Sequence, residues 1–384
     1  MSMGIEPIFD PENWSRVPFH FWSVVFFVFG SMVGSFLNVC IHRMPLGQSV
    51  VSPPSHCPYC KYSIPWFLNM PLITWLFLRG KCKNCAAPIS VRYFLVELLT
   101  GLMFLFAWWA HGQNSAVLAL IYSLLLAGMI AATFIDFEHY IIPDEITLGG
   151  IGAGLVCSAI SPMLHSQTNI GLSLWQSIVG AGTGFGLVYG IVRLGKLMFG
   201  RQRVELPVGT KIIFSETAVH LPDKDILFEE LFYRQSDEIV IQAQTLELID
   251  RCYSNVKVRL SPKRLLIGDE EINPETVHQM EAVASEITLP REAMGFGDVK
   301  FMAAIGAFLG WQATIFALFA SSFIGAFVGI IGMAIVGRER FARIPYGPYI
   351  AVAATLWVFL PAEMRDQVQQ MISMFNPFAS STPF

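Results

Sequence analysis

Two aspartates at the edges of apolar runs are the residues best placed to do chemistry. Asp136 closes the third apolar run of the chain, and Asp298 lies in a Gly-Phe-Gly-Asp motif just before a later one. Ionisable side chains at membrane depth are costly and usually serve a function. Two close carboxylates share one proton, so that one activates water while the other donates to a carbonyl oxygen. The motif glycines, Gly295 and Gly297, would let an extended substrate approach the backbone.

The residues leave other interpretations open. A GxGD motif is short, and an aspartate at a helix edge is often a cap or a solvated residue. Glu138, Asp144 and Glu145 compete as partners in a pair, and Asp144 also has the position of a helix N-cap. Glu97 lies inside another apolar run, where a hydrogen-bonded packing role is the simplest interpretation. A serine–histidine–aspartate set has no fixed spacing, and no sequence feature points to one.

Four of the seven cysteines form a second constellation. Cys57 and Cys60 make one CxxC pair, and Cys82 and Cys85 make another after 21 intervening residues. Two such turns supply the four thiolates of a tetrahedral zinc site, which has no open coordination position. The expected role is therefore structural, in a segment too short to have its own core. Four unrelated free thiols are the alternative.

The composition determines which environment these residues occupy. Of 384 residues, 54% are hydrophobic and only 14% are charged, whereas about a quarter are charged in a soluble protein. This excludes a simple cytosolic globule, a disordered chain and a basic nucleic-acid-binding domain. A bilayer-crossing helix needs roughly 20 mostly apolar residues. Eight runs approach that requirement, and two of them, Ile146–Ile160 and Phe301–Gly310, are short. The other six are Phe19–Ile41, Tyr93–Ala110, Ala116–Ile135, Leu172–Met198, Ala313–Val336 and Tyr349–Leu360.

Charge asymmetry predicts the orientation of these spans. With the N-terminus outside, 23 of the 25 Lys and Arg residues fall on the cytoplasmic side, and only Arg16 and Arg365 fall outside. The positive-inside rule favours that topology. It places both candidate aspartates at the cytoplasmic face.

A polar insertion interrupts the apolar pattern at residues 200–293. It carries 11 Lys or Arg and 17 Asp or Glu, a net charge of −6, which argues against nucleic acid or anionic lipid as its partner. Runs such as Val256–Leu260 predict strands, and Asn273-Pro274-Glu275 predicts a helix start. We therefore expect a small inserted α+β domain.

Several motifs, in this order, resemble those of bacterial prepilin peptidases, the type IV leader peptidase and prepilin N-methyltransferase family of GxGD aspartic membrane proteases. They cover nearly the whole chain except its first ~18 residues, the insertion and the tail after Leu360. They are Gly34–Pro45, the paired CxxC turns, Ile89–Gly101, Ile135-Asp136 with Ile142-Pro143-Asp144, Met294–Lys300, Gly306–Trp311 and Tyr346-Gly347-Pro348-Tyr349.

The resemblance implies an inner-membrane aspartic endopeptidase that cuts the basic leader from type IV prepilins or type II secretion pseudopilins at the cytoplasmic face. Asp136 and Asp298 would be its catalytic pair, with Cys57, Cys60, Cys82 and Cys85 as zinc ligands. Many members also methylate the new N-terminus with S-adenosylmethionine and associate that activity with the N-terminal cytoplasmic segment. No glycine-rich nucleotide loop marks a cofactor pocket here.

The resulting expectation is an all-α polytopic membrane protein with about eight spans, a zinc segment and an inserted domain. The insertion is longer than in common members; it either contacts prepilin or pilus assembly components or is a tolerated loop. The competing classes are a membrane transporter and a noncatalytic pilus-assembly scaffold with a zinc-stabilised cytoplasmic domain. The expected segments are 1–18 (extracytoplasmic), 19–41 (first span), 42–92 (zinc segment), 93–199 (spans two to five, with Asp136), 200–293 (insertion), 294–361 (GxGD motif and spans six to eight) and 362–384 (extracytoplasmic tail).

Overall fold

The computed structural model describes residues 18–222, 225–232, 237–277, 279–290, 295–336 and 345–374. The predicted extracytoplasmic N-terminal segment, the end of the tail and most of the loop 337–345 lie outside these residues. The chain divides into two compact units, the first made of residues 1–188 and 296–384 and the second of residues 189–295.

The first unit consists of helices and of the largely irregular cysteine segment between residues 44 and 90. Most of its long helices are highly apolar, as expected of helices that pack in lipid rather than in water. The α-helices among the described residues, in order, are α1 Phe19–Arg43, α2 Ile73–Phe77, α3 Val91–His111, α4 Ala116–His139, α5 Asp144–Ile160, α6 Ile170–Phe199, α7 Phe228–Leu231, α8 Phe296–Val336, α9 Gly347–Phe359 and α10 Ala362–Met374.

Five helices in the described part of the chain are long and apolar enough to cross a membrane, namely α1, α3, α4, α6 and α8. A sixth span is possible if α9 and α10, bent by 116° at their junction, count as one. This is fewer than the eight spans expected. The helix α5 has only 17 residues and α9 only 13, short of the roughly 20 that a perpendicular crossing needs.

The sixth and seventh predicted runs lie in one helical stretch, α8. The break predicted between the two runs lies at Gly310, whose backbone is not helical (φ 83°, ψ 175°). Glycine is the residue that adopts such a positive φ at little cost. The first part of α8, Phe296 to Gly310, is therefore a short helix of its own direction.

That short helix packs between α5 and α6 on faces made of small residues. On α6, a Cβ atom on Gly180 would lie 2.1 Å from the carbonyl oxygen of Gly306, and one on Gly184 would lie 2.4 Å from that of Met302. On α5, a Cβ on Gly154 would lie 2.7 Å from the Cβ of Ala307. Such small-residue faces allow helices to approach closely where no hydrophobic effect drives them together.

Ion pairs connect the helix ends at one end of the bundle. Arg92, at the start of α3, pairs with Glu138, at the end of α4. Lys300, at the start of α8, pairs with Asp144, at the start of α5. The segments that carry the two motif aspartates are therefore at the same end of the first unit.

The second unit is dominated by one eight-stranded antiparallel sheet with its own hydrophobic core. Inward positions alternate along its strands, as in β8 where Met280, Ala282 and Ala284 are buried. The strand order is β3-β2-β1-β8-β4-β5-β6-β7. The strands are β1 Arg201–Phe214, β2 Ala218–His220, β3 Asp225–Leu227, β4 Ile239–Leu248, β5 Cys252–Leu260, β6 Leu265–Ile267, β7 Glu270–Ile272 and β8 Met280–Pro290.

The expectation of an α+β insertion is correct for the strands and wrong for the helix. The sequence Asn273-Pro274-Glu275 forms a single 3-10 turn, Pro274–Thr276, instead of a helix. Only a few residues separate it from β8, so the backbone returns to the sheet after one turn. In the described part of this unit, apart from the end of α6, the one α-helix is the four-residue α7.

We predict that Gly180→Ala destabilises the protein strongly, because its added Cβ would overlap the Gly306 carbonyl oxygen of the neighbouring helix. A cost of about 3 kcal/mol in the free energy of unfolding is the upper end for such overpacking. Thermal unfolding in detergent measures it. The matched control is Gly182→Ala, two residues along the same helix, where a Cβ meets no atom within 4 Å. Equal melting temperatures for the two variants would contradict the packing.

Candidate active site and metal centre

Asp136 lies in the last turn of α4 and is buried, with only 5% of its surface exposed. Its Oδ2 accepts a hydrogen bond from the backbone amide of Gly347, at 2.9 Å. Gly347 is the first residue of α9, and its missing side chain permits this contact, because a Cβ there would lie 2.7 Å from Oδ2. The Tyr-Gly-Pro-Tyr motif thus places an amide donor on the carboxylate.

Asp298 lies in the first turn of α8 and is also buried, with 8% exposed. Its depth is set by the close packing of α8 against the glycine faces of α5 and α6. Gly297, beside it, approaches the backbone of Ile142 so closely that a Cβ would make van der Waals contact with it at 3.4 Å. Gly295 precedes the helix and is exposed.

Ile142 lies between the two motif segments. It is buried, it adjoins Gly297 on one side, and its Cδ1 would lie 3.0 Å from a Cβ on Gly347, the residue that binds Asp136. The segments that carry Asp136 and Asp298, which are 162 positions apart in the sequence, therefore meet around one apolar side chain.

The three competing acids are on the surface. Glu138 is paired with Arg92, Asp144 is paired with Lys300, and Glu145 is exposed. The prediction that Asp144 caps α5 is wrong. The helix begins at Asp144 after Pro143, without a side-chain capping bond, because the carboxylate is turned toward Lys300.

Burial distinguishes the motif aspartates from most other acids. Among the residues that the structure describes, four carboxylates are buried: Glu97, Asp136, Asp237 and Asp298. Asp237 pairs with Lys196 in the second unit, and Glu97 accepts from the backbone amide of Leu72 at 2.7 Å. Glu97 thus has the hydrogen-bonded packing role expected of it. The remaining two, Asp136 and Asp298, are the motif aspartates.

The four paired cysteines form one cluster. Their sulfurs all lie within 4.8 Å of one another, with Cys57 and Cys85 at 3.8 Å and Cys60 and Cys82 at 4.0 Å. Four thiolates at 2.3 Å from one tetrahedral ion would be ~3.8 Å apart. The donor set and its spacing therefore fit a metal ion without rearrangement.

Two equivalent turns build this cluster. The amide of Lys61 donates to the carbonyl of Cys57, and the amide of Ala86 donates to that of Cys82. Lys61 and Ala86 both have positive φ, 58° and 57°, so each chain folds back past its two sulfurs in the same way. The Nδ1 of His56, beside Cys57, is bonded to the carbonyl of Pro54, and the group of close donor atoms consists of the four cysteines.

The thiols of the cluster have opposed protonation preferences. The pKa of Cys60 is lowered to about 6, first because the Asn84 amide donates to its sulfur. For Cys85, the Ala87 amide favours the thiolate, but desolvation and the neighbouring sulfurs raise the pKa to about 12. A bound metal ion would favour the thiolate form of all four cysteines.

A serine–histidine–aspartate chain that the sequence did not indicate is present in the sheet unit. His220 bonds Asp225 at 2.7 Å through Nδ1 and Ser215 at 3.2 Å through Nε2. Ser215, however, caps the turn between β1 and β2 by accepting from the amide of Ala218. Asp225 is exposed, so solvent screens the charge that would orient the histidine. These hydrogen bonds therefore stabilise the turn between β1 and β2.

We predict that Cys57→Ser loses bound metal and lowers the thermal stability of the protein. One of four thiolate ligands is then missing, and the metal supplies the folding energy of a segment without a core. Metal content by mass spectrometry and melting temperature in detergent are the measurements. Cys252→Ser is the control, since Cys252 is exposed in β5 and far from the cluster in sequence. Full metal content in Cys57→Ser would contradict the four-thiolate centre.

Comparisons with known proteins agree on one family. Residues 28–111 match the bacterial peptidase A24 N-terminal domain, and residues 123–202 and 281–330 match the type IV leader peptidase family. The matches skip most of the sheet unit. No solved structure matches the chain.

Curated relatives share the name prepilin leader peptidase/N-methyltransferase. The one from Aeromonas hydrophila is 28% identical over 89% of this chain and 92% of its own length. Those from Myxococcus xanthus and Dichelobacter nodosus are 35% and 36% identical, over 59% and 46% of this chain and 65% and 69% of their own lengths. On these matches and identities, this chain belongs to the type IV leader peptidase family.

Proposed function

We propose that this protein is a bifunctional membrane enzyme that removes the leader from type IV prepilins or type II secretion pseudopilins and methylates the new N-terminus. The observation that supports the peptidase activity is that both motif aspartates are buried and that the segments carrying them adjoin Ile142 at one end of the helix bundle. The family and the names of its members supply the substrate class and the methyl transfer.

The aspartate pair would hydrolyse the peptide bond in a general acid–base mechanism. One carboxylate takes a proton from water, and the resulting hydroxide adds to the scissile carbonyl carbon. The other, protonated aspartate donates to the substrate, and the carbon–nitrogen bond breaks as the leaving amine is protonated. The products are the carboxylate of the leader and the amine of the mature pilin, with no covalent intermediate.

Gly347 would position the first of these carboxylates. Its amide donates to Asp136 Oδ2, which fixes the orientation of the carboxylate relative to α8. Such preorganisation matters because a catalytic group must be held near its productive geometry before the substrate arrives.

Zinc is the metal we assign to the four-cysteine cluster. Four thiolates in a tetrahedron suit zinc, and a closed shell leaves no position for substrate, so the ion would be structural. Methyl transfer would draw on S-adenosylmethionine, which supplies an activated methyl group when bound, to modify the amine that proteolysis exposes.

We assign the enzyme to the bacterial inner membrane with its N-terminus outside and its aspartates at the cytoplasmic face. The support is the distribution of Lys and Arg, 23 of 25 on that side. The inserted sheet unit, with a net charge of −6 over residues 200–293, is the proposed contact for pilus assembly components. Its eight strands enclose their own core, so the insertion is a folded module and not a loop.

Asp136→Asn and Asp298→Asn should each reduce prepilin cleavage by about 10³-fold or more, because an amide can neither take up nor share the proton. The test incubates purified protein with a prepilin and S-adenosylmethionine and determines the mass of the product N-terminus. Both variants should still methylate a synthetic peptide that already has the mature N-terminus. That result would show that they are folded.

Glu145→Gln is the matched control for these substitutions, since Glu145 is an exposed acid of the same motif region. It should cleave at the rate of the unmodified protein. Normal cleavage by either aspartate variant would exclude the pair. A transporter or a scaffold would show no cleavage in any form of the protein.

We predict that Gly347→Ala abolishes most cleavage without loss of metal. The added Cβ would lie 2.7 Å from Asp136 Oδ2 and 3.0 Å from Ile142 Cδ1, so the carboxylate must leave its hydrogen bond. A fall in kcat of about 10²-fold is expected from displacement of a catalytic group. Gly152→Ala, where a Cβ meets no atom within 4 Å, is the control. Unchanged kcat in Gly347→Ala would show that this amide does not position Asp136.

A further inference from the structure

A run of large apolar side chains is exposed in the segment 66–78, between the two cysteine turns. Phe77 is 86% exposed, and Leu76 and Ile73 are 57% and 53% exposed. Phe67 and Met70 extend the same surface. Soluble surfaces rarely carry so many adjacent apolar side chains without a partner.

Three of these side chains share one face of α2. Ile73, Leu76 and Phe77 are spaced i, i+3 and i+4, so they project from the same side of the helix. Trp75, between them in sequence, packs against Phe94 of α3, with ring centroids 5.2 Å apart and the ring planes tilted by 36°. The helix therefore has one face on the protein and a second, apolar face directed away from it.

Contacts with α3 fix the depth of this segment. The amide of Leu72 donates to Glu97, and Trp75 Nε1 donates to the carbonyl of Ile89 at 3.4 Å. Glu97 lies six residues beyond Val91, the start of the span, which is about 9 Å along a helix. Interfacial helices bury their apolar face ≈ 5–10 Å into the boundary between headgroups and acyl chains. With the membrane boundary at the start of α3, the segment would lie at that depth.

The charged residues around this segment are all basic. Residues 44–96 contain no Asp or Glu. Three exposed cations, Arg79, Lys81 and Lys83, follow the apolar face directly, and Lys61 precedes it. Lys83 also lies over the ring of Phe67, 5.9 Å from its centroid. Cations that flank an apolar interfacial segment favour anionic lipid headgroups.

We propose that residues 66–78 are an interfacial membrane anchor, with the apolar face of α2 in the acyl boundary and the flanking cations on anionic headgroups. The start of α3, which these contacts hold beside the segment, also exposes apolar side chains at Val91 and Leu95. The Arg92–Glu138 pair places the start of α3 beside the end of α4, so the anchor holds the cysteine cluster against the membrane at the aspartate end of the bundle. The proposal requires a membrane-embedded chain but not the proposed enzymatic activity.

Photolabelling from within the bilayer tests the anchor directly. The full-length protein is placed in nanodiscs of equal parts phosphatidylethanolamine and phosphatidylglycerol with a hydrocarbon-soluble diazirine, and the labelled peptides are identified by mass spectrometry. We expect the peptide that contains Ile73, Leu76 and Phe77 to be labelled as strongly as the exposed face of α1 at Val24. Ile249, which is 81% exposed in the sheet unit, should stay at background.

The double substitution Leu76→Asp with Phe77→Asp should lose the label in this peptide while α1 keeps its label and the protein keeps its bound metal. Ile249→Asp is the matched control and should change nothing. Background labelling of residues 66–78 in the unmodified protein would overturn the anchor. Label that disappears when a prepilin is added would also overturn it, because the face would then belong to the substrate helix.

Discussion

The burial of two carboxylates among apolar helices is the constraint on which this molecule depends. A carboxylate that loses water must be paired, hydrogen-bonded or protonated. Here Asp136 gains the amide of Gly347, and α8 brings Asp298 to the same end of the bundle. Backbone contact makes this possible, since Gly180 and Gly184 admit the carbonyl oxygens of α8 at distances that no side chain would permit. The small residues around the site therefore hold the acids in place.

The cysteine cluster holds together a segment that has no hydrophobic core of its own. The segment between α1 and α3 has few buried apolar side chains, so it lacks the core that would hold its loops. The two cysteine turns and the Glu97–Leu72 bond replace that core with directional contacts. The apolar side chains that a soluble domain would have buried are instead exposed on α2.

The inserted sheet is a compact unit of its own, placed between the two parts of the chain that match the peptidase family. The strand β1 follows α6, and after β8 the chain returns to Gly295 and the start of α8. Each strand pairs with its neighbours in the same sheet, and the sheet has a hydrophobic core of its own. The family match resumes at residue 281, within β8, so the join lies just ahead of the motif that carries Asp298.

The sequence alone determined the apolar runs, the paired cysteines and the motif order, because each depends on residue type at short spacing. The extent of the helices, the strands that the sequence did not predict and the surroundings of the acidic side chains depend on contacts between distant residues. Asp144 shows the difference. Its local sequence favours a helix cap, yet its carboxylate pairs with Lys300, which is 156 positions away. Only the tertiary structure decided that Asp136 and Asp298 are buried, in segments that adjoin Ile142, while Glu138 and Asp144 are paired at the surface. Burial and pairing are properties of the packed chain, and no local pattern encodes which acid loses its water.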